Sequence, residues 1–374
     1  MRGCDMDLEQ FWKDDELAHK ENCFSEDSPQ VALGIRMSEE CVFAELGEEG
    51  NPWGHTPLER RKDLNKRYND KAEKIVGKRL LREDFAEENT DAILPKTKTL
   101  EEIFEGRHVF QGGTNWVESD CDSPEKLEKL LDRVEKLDIR EFILPDNWYQ
   151  EKKRIFEKHG KKPQLLRGIR GPVTLATSIF GVENLIFLIL DEPELAQRFS
   201  AAIGDALFKL ITLLDEEGGY TYPDVPHDFL FCDDNCAMLT DEMYKEFGYP
   251  ILKKIFDHWC PEPEHFRYQH SDSNMGHLIP LLADFDLTGC NFGPTVTVSE
   301  IREYMPRTRI DGQLSPLTFM NNDEDAIIAE VKRDCEMAKG AKGLNLSAAG
   351  SINNGSLLTS MRTVMYAIQK YGRY

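Results

Sequence analysis

The densest cluster of side chains that could do chemistry lies in the segment YQHSDSNMGHLIP, residues 268–280. His270 and Asp272 are two residues apart, so both point to the same side if a strand ends here. A neutral imidazole and a carboxylate can bind a divalent metal ion, or act together as an acid–base pair. His277 follows on the next predicted helix, where it is a further candidate ligand unless it only caps or packs that helix.

Two adjacent carboxylates follow another candidate strand, in FCDDNCAMLTDEMY (231–244). Asp233 and Asp234 lie between that strand and a helix predicted to begin at Thr240. Neighbouring carboxylates repel, so at least one needs a cation, an arginine or a substrate proton as its partner. We therefore expect one of the two to be functional. Cys232 and Cys236 lack a second cysteine pair, which favours ordinary buried thiols over a zinc site.

A third candidate strand ends in RGIRGP (167–172). Arg167 and Arg170 flank a glycine, and Pro172 begins the following helix. Guanidinium groups and backbone amides at a helix start can hold a carboxylate or a phosphate. The alternative is that the arginines pair with carboxylates of the protein itself.

Three further candidate strands end in uncharged polar residues: Asn291, Gln313 and Asn345. Their amide groups can hydrogen-bond a neutral or anionic substrate. The loop after Asn345, AAGSINNGS (348–356), is rich in small residues and leads into a helix. Barrel enzymes often hold a phosphate or carboxylate at this place, although a flexible turn would have the same composition.

These loops must be positioned by strands, and from about residue 107 short apolar runs alternate with segments of helical period. That alternation is typical of βαβ units and a parallel sheet. Eight strands are predicted: His108–Phe110, Glu141–Leu144, Gln164–Gly168, Phe229–Cys232, Phe266–His270, Thr288–Phe292, Arg309–Gly312 and Gly343–Leu346.

Eight strands with helices between them predict an α/β fold, a (β/α)8 TIM barrel over residues 101–374. Residues 1–100 are charged and poorly periodic, and we expect a helical extension that packs on the barrel. A doubly wound sheet is the alternative architecture. In a barrel, the active site forms where the strands end, which is where the polar residues above occur.

Composition limits the partners. The formal net charge of −22 repels phosphate backbones and anionic lipid surfaces, which argues against nucleic acid and membranes. Nine cysteines without regular spacing are typical of reduced cytoplasmic thiols. The most apolar run, residues 173–190, has Glu183 near its middle, so we expect a buried helix rather than a membrane span. The expected location is the cytoplasm.

Several segments together resemble the uroporphyrinogen decarboxylase superfamily, which includes zinc- and corrinoid-dependent methyltransferases. They are, in order, RGIRGPVTLATSIFGVENLIFLILDEPELAQRF, FCDDNCAMLTDEMYKEFGYPILKKI, HSDSNMGHLIPLL, DGQLSP and the C-terminal KYGRY. The resemblance covers roughly residues 100–374 and implies a barrel, with Asp233 in the place of the superfamily's aspartate.

The chain departs from both branches of that superfamily. Decarboxylases carry an Arg-Gln-Ala-Gly-Arg segment and a histidine in a final Gly-His-Gly loop. This chain lacks the first and has Ala348 and Ala349 at the second, so porphyrin decarboxylation is not expected. Methyltransferases bind zinc through His-x-Cys and a distant cysteine. Here His270 is in place, but Asp272 replaces the first cysteine, so any metal has harder ligands or is lost.

The resemblance implies a corrinoid-dependent methyltransferase-like enzyme that moves a methyl group from a small donor to a corrinoid protein. His270 and Asp272 would bind a divalent metal, zinc first among the candidates, or relay a proton, and Asp233 would orient them or the leaving group. The expected substrate-binding residues are Arg167, Arg170, Asp234, Asn291, Gln313 and Asn345. The alternatives are a decarboxylase or lyase acting on a small carboxylate, and a non-catalytic small-molecule binder. A homodimer is the candidate assembly.

Overall fold

The computed structural model describes residues 6–52, 54–85, 89–111 and 114–374. The described strands are β1 (Ala32–Leu33), β2 (Arg107–Gln111), β3 (Thr114–Glu118), β4 (Gly168–Arg170), β5 (Asp228–Cys232), β6 (Phe266–Ser271), β7 (Gly289–Phe292), β8 (Arg309–Leu314) and β9 (Leu344–Ala348). Seven of these form one parallel sheet in the order β1-β9-β8-β7-β6-β5-β4 and alternate with helices. This is the predicted (β/α)8-barrel fold, although the described strands leave the sheet unclosed between β4 and β1.

Helices connect the strands and precede the sheet. The described α-helices are α1 (Leu8–Ala18), α2 (Glu40–Leu46), α3 (Leu58–Val76), α4 (Leu100–Ile103), α5 (Pro124–Val134), α6 (Ile139–Ile143), α7 (Trp148–His159), α8 (Pro172–Phe180), α9 (Val182–Asp191), α10 (Pro193–Gly218), α11 (Asp241–Phe247), α12 (Tyr249–Trp259), α13 (Ile279–Leu282), α14 (Val298–Tyr304), α15 (Pro316–Met320), α16 (Glu324–Ala338) and α17 (Leu358–Tyr371). The helix start predicted at Thr240 is confirmed, because its hydroxyl accepts a hydrogen bond from the Met243 N–H and caps α11.

Burial alternates along β5 and β6. In β5, Phe229 and Phe231 are buried, and the Phe231 ring meets that of Phe256 on α12 edge-on, with centroids 5.4 Å apart. The other residues of β5 are half-buried and face the opposite way. In β6 the buried residues are polar, namely Arg267, Gln269 and Ser271, while Tyr268 and His270 are half-buried. Apolar packing therefore lies between β5 and α12, and His270 lies on the half-buried face of β6.

Five of the eight predicted strands are confirmed with small shifts at their ends, as β5, β6, β7, β8 and β9. The strand predicted at Gln164–Gly168 begins later, as β4. The strand predicted at His108–Phe110 exists, but it pairs antiparallel with β3 in a separate hairpin.

The strand predicted at Glu141–Leu144 is wrong. These residues lie in or next to α6, which begins where the Asp138 carboxylate accepts a hydrogen bond from the Glu141 N–H. Ile139 and Ile143 are both buried at the i, i+4 spacing of a helix. The capping side chain and this spacing outweigh the apolar run that suggested a strand.

The N-terminal segment contributes a strand that its sequence did not predict. In β1, Ala32 and Leu33 pair in parallel with Asn345 and Leu346 of β9. The buried Asp15 on α1 accepts a 2.7 Å hydrogen bond from the Leu33 N–H. A carboxylate of the first helix thus satisfies a backbone donor of the added strand.

The chain divides into two compact units. One contains the residues up to Phe85 together with His270–Ile279 and Leu287–Tyr374, and it carries α1–α3, β1, β7–β9 and α14–α17. The other contains the remaining described residues, with β2–β5 and α4–α12.

No single helix in the described ranges is long and apolar enough to cross a membrane. The pair α8 and α9 passes such a test only when taken together, and its two helices are bent by 102°. Ten residues of α8 and α9 are buried in the protein.

Replacing Asp15 by alanine tests how firmly α1 holds β1. The change leaves the buried Leu33 N–H without its acceptor, so we expect the free energy of unfolding to fall by about 1–3 kcal/mol. Urea unfolding followed by circular dichroism measures the loss. The control is Lys13→Ala on the same helix, which breaks an exposed ion pair with Glu9 and should cost less than about 1 kcal/mol. Equal losses of unfolding free energy in Asp15→Ala and Lys13→Ala would contradict the stabilising role of the hydrogen bond from the Leu33 N–H to Asp15.

Candidate active site

His270 lies near the end of β6, where Asn291 of β7 holds its ring. The Asn291 Oδ1 is 2.8 Å from the His270 Nδ1. The Asn291 Nδ2 donates hydrogen bonds to the backbone oxygens of Asp311 and Ala348, the second at 3.0 Å. One buried amide therefore contacts the strand before it and two strands after it.

Two loops approach the exposed Asp272. A Cβ added at Gly293, in the loop after β7, would lie 2.5 Å from the Asp272 backbone oxygen. A Cβ at Gly350, in the loop after β9, would lie 3.2 Å from the Asp272 Cβ. Only glycine allows this approach at Gly293, because the clash would be with backbone. Gly350, in the final loop rich in small residues, thus allows close packing beside Asp272.

One group of potential metal ligands at the end of β6 contains His270 and Asp272. Each offers one ligand atom, and the two atoms lie within 4.8 Å of one another. His277 is not in this group and is exposed on a short 3-10 turn, Gly276–Leu278. The spacing argument that paired His270 with Asp272 agrees with this geometry, while the role of each residue stays a prediction.

Asp233 is fully buried and binds the start of α8. Its carboxylate accepts hydrogen bonds from the N–H and hydroxyl of Thr174, at 2.8 and 2.9 Å, and a 3.4 Å bond from the Val173 N–H. A Cβ at Gly171 would lie 2.2 Å from the Asp233 Cβ, so this approach requires glycine. Burial raises the pKa of Asp233 to about 6, and the hydrogen bonds from Thr174 and Val173 limit the rise.

The two adjacent aspartates therefore differ. The Asp233 carboxylate faces the start of α8, whereas Asp234 is half-buried. The Asn235 N–H donates to the Thr174 hydroxyl at 3.1 Å, so the turn that carries Asp234 is tied to the same helix start. Burial, with the charges of Asp234 and Asp233, raises the pKa of the Cys232 thiol to about 11. That thiol is protonated at neutral pH.

The two arginines near β4 have different surroundings. The side chain of Arg167 is only 11% exposed, and its Nη2 lies 2.6 Å from an Asp215 oxygen. Its Nε also donates to the Pro226 carbonyl. Arg170, at the end of β4, makes one long hydrogen bond of 3.4 Å within the described part of the chain, to the Asn115 carbonyl. Arg167 is thus neutralised by the protein, and Arg170 keeps more of its donors available.

The side-chain amides of Gln313 and Asn345 are bound through their nitrogen atoms, while their oxygen atoms have no donor among the described residues. The Gln313 Nε2 donates to the carbonyls of Gly293 and Val296, at 3.0 and 2.7 Å. The Asn345 Nδ2 donates to an Asp311 carboxylate oxygen at 2.7 Å. Within the described protein, the Gln313 Oε1 and the Asn345 Oδ1 are buried acceptors without a donor. Such acceptors are satisfied by a substrate donor or by water.

Sequence reasoning missed Glu45 of α2. Its buried carboxylate accepts a 2.7 Å hydrogen bond from the Leu358 N–H, at the start of α17. This helix follows the final loop, and the composition of that loop predicted a bound phosphate or carboxylate of a ligand at the helix start. The charge there belongs to the protein itself. No sequence signal links Glu45 to a partner so far along the chain.

Comparison with known sequences identifies the family. Residues 122–371, about two thirds of the 374-residue chain, match the family described as Uroporphyrinogen decarboxylase (URO-D). The chain belongs to the URO-D family. Its resemblance to this family, expected from the motifs around Arg170, Asp233 and His270, is thereby confirmed.

Solved structures add a likeness in fold. A methyltransferase from Methanosarcina mazei matches with a TM-score of 0.55 and 16% identity, over 94% of this URO-D chain and 96% of that chain. A B12-independent methionine synthase from Shewanella sp. W3-18-1, in complex with selenomethionine, reaches a TM-score of 0.31 at 11% identity, over 59% and 64%. The first shares the fold, and the second is too distant to support an argument. No curated protein matches the chain.

The raised pKa of Asp233 predicts a pH-dependent stability. Between the unfolded pKa of 3.8 and the folded pKa of about 6, the folded protein keeps a proton that the unfolded chain releases. The contribution of Asp233 to wild-type stability therefore falls across this interval as the pH rises. Asp233→Asn cannot titrate, so its free energy of unfolding relative to wild type should rise by about 2 kcal/mol from pH 4 to pH 7. Chemical unfolding of both proteins at each pH measures this difference in free energy of unfolding. A difference that does not change with pH would refute the raised pKa of Asp233.

Proposed function

We propose that this URO-D family member is a methyltransferase that moves a methyl group from a small methylated donor to a corrinoid carried by a separate protein. The observation that supports this most is the pair formed by the His270 imidazole and the Asp272 carboxylate at the end of β6, whose ligand atoms lie within 4.8 Å of one another. Membership of a family of enzymes and a fold shared with a methyltransferase support the same proposal.

The donor atoms fit a divalent metal ion. An imidazole nitrogen with carboxylate oxygen is a combination that zinc accepts and that harder ions such as manganese also accept. Bound there, such an ion would polarise the oxygen or nitrogen atom that carries the donor's methyl group. In this proposal His270 and Asp272 hold it.

The remaining residues take supporting roles. Asp233 is a positioning residue, because its bonds to Thr174 fix the turn that presents Asp234. The unpaired oxygens of Gln313 and Asn345 accept hydrogen bonds from N–H or O–H groups of the substrate. Arg167 is left out of the substrate site, because its guanidinium already pairs with Asp215.

A decarboxylase or lyase acting on a small carboxylate is the second candidate, and Arg170 favours it. Among the described residues, the Arg170 guanidinium at the end of β4 makes one 3.4 Å hydrogen bond, to the Asn115 carbonyl, so it has further N–H donors to hold an acid group. In that case His270 and Asp272 would act as an acid–base pair.

The metal content of purified protein tests the proposed metal site. We expect close to one zinc or manganese ion per chain in the wild type, and loss of the ion in His270→Ala and Asp272→Ala, because each variant removes one of the two proposed ligands. Elemental analysis after dialysis measures this. His277→Ala is the matched control, since this exposed imidazole follows the same strand but is not one of the two ligands, and it should retain the ion.

A wild-type protein that binds no ion even after incubation with zinc and manganese would refute the metal site. Loss of the ion in His277→Ala, but not in His270→Ala, would move the site to other residues.

Product analysis separates the two candidate reactions. We expect a methyl-labelled oxygen- or nitrogen-linked donor to pass its label to a reduced corrinoid, followed by the change in corrinoid absorbance, with the rate lowered at least 100-fold in His270→Ala. Release of labelled carbon dioxide from carboxyl-labelled acids, without any corrinoid and dependent on Arg170, would favour the decarboxylase instead. Tyr149→Phe, an exposed change on α7, is the control for handling and folding.

A further inference from the structure

We infer that Asn291 is a positioning residue that fixes the tautomer and the ring orientation of His270. The inference rests on the proposed role of His270 as a ligand or base, and it assigns Asn291 a role other than the substrate binding expected from the sequence. It follows from the hydrogen bonds of one buried amide.

The orientation of that amide is determined by its surroundings. Asn291 is only 8% exposed, and its Nδ2 donates to two backbone carbonyls, those of Asp311 and Ala348. A side-chain amide has two N–H donors, and both are used here. Turning the amide around would set its oxygen against two carbonyl oxygens, so the oxygen must face His270.

The direction of the bond to His270 then follows. The Asn291 Oδ1 can only accept, and it lies 2.8 Å from the His270 Nδ1, so Nδ1 carries the hydrogen. In a neutral imidazole the lone pair then belongs to Nε2. Nε2 is the atom that this histidine offers to a metal ion or to a substrate proton, and a hydrogen bond at the opposite nitrogen strengthens it as a ligand.

The same contacts argue against a substrate-binding role. Both N–H donors of Asn291 are engaged with the protein backbone, and its oxygen already serves His270. Gln313 and Asn345 differ, because each keeps a buried oxygen without a donor. Among the three strand-end amides, Asn291 supports the histidine, and the other two remain for the substrate.

Nitrogen NMR of the full-length, metal-free protein tests this directly. Histidines are labelled with nitrogen-15, His270 is assigned by comparison with His270→Gln, and spectra are taken at a pH where the ring is neutral. We expect wild-type His270 to carry its hydrogen on Nδ1. Asn291→Ala should shift the ring to a mixture of tautomers, and so should Asn291→Leu, which keeps the volume of the side chain.

Thr308→Val is the matched control. It removes a buried 2.7 Å hydrogen bond to the Leu287 carbonyl, before β8, and has a structural cost without contact to His270. Its His270 spectrum should equal that of the wild type. Zinc affinity, measured by competition with a coloured chelator, should fall roughly 10- to 100-fold in Asn291→Ala and stay unchanged in Thr308→Val.

The outcomes separate this inference from the proposed function. Wild-type His270 with its hydrogen on Nε2, or an unchanged tautomer in both Asn291 variants, would overturn the inference even if zinc binds. Absence of zinc binding in every protein would refute the proposed metal site, while the His270 tautomers of the wild type and of the Asn291 variants would still decide the role of Asn291.

Discussion

The register of the parallel strands is the constraint on which the polar face of the sheet depends. Asp311 of β8 lies directly beside Asn345 of β9, and this pairing lets the Asn345 amide donate to the Asp311 carboxylate. Arg309, two residues before Asp311, faces the same way and donates to both carboxylate oxygens at 2.8 Å. A shift of one residue would turn each of these side chains toward the apolar core, where each would be unpaired. The register thus sets both the stability of this face and the geometry of its reactive residues.

How much of this follows from the sequence depends on the distance over which residues act. The pairing of His270 with Asp272 is predictable, because side chains two apart in a strand share a face. The difference between Asp233 and Asp234 is not, because it depends on the start of α8 and on the space that Gly171 leaves. The sequence predicts that one of the two aspartates is functional but does not indicate which one.

Contacts between distant residues explain the other differences. The pairing of Arg167 with Asp215 depends on how α10 lies on the sheet, and no local pattern encodes it. A strand was predicted where α6 lies, because the apolar residues of this short segment fit a strand or a helix. The Asp138 side chain caps the helix start and so favours the helix. By contrast, the strands from β5 onward were predictable, since each combines an apolar run with a polar end.

The N-terminal segment contacts both the last strand, β9, and the last helix, α17. Its β1 adds to β9, and its Glu45 occupies the start of α17. A helix start attracts anions because its backbone N–H groups are unpaired and its dipole is positive. With an internal carboxylate there, an anionic substrate gains little from this helix, which leaves Arg170 as the better candidate for holding one. The final loop instead supplies the close approach of Gly350 to Asp272.

The chemistry then depends on which atoms can bind a metal ion. Thiolates favour soft metals, whereas carboxylates and imidazole suit zinc and harder ions. The resemblance to zinc methyltransferases implies a cysteine at the position of Asp272. The Cys232 thiol is protonated at neutral pH, because burial raises its pKa to about 11. In the proposed site, an ion held by His270 and carboxylate oxygen would keep more positive charge than one held by thiolates on the same imidazole, since oxygen donates less electron density than sulfur. Such an ion polarises an oxygen or nitrogen atom more strongly than it stabilises a thiolate. For this reason we propose a donor whose methyl group is linked to oxygen or nitrogen, and not chemistry on a thiol.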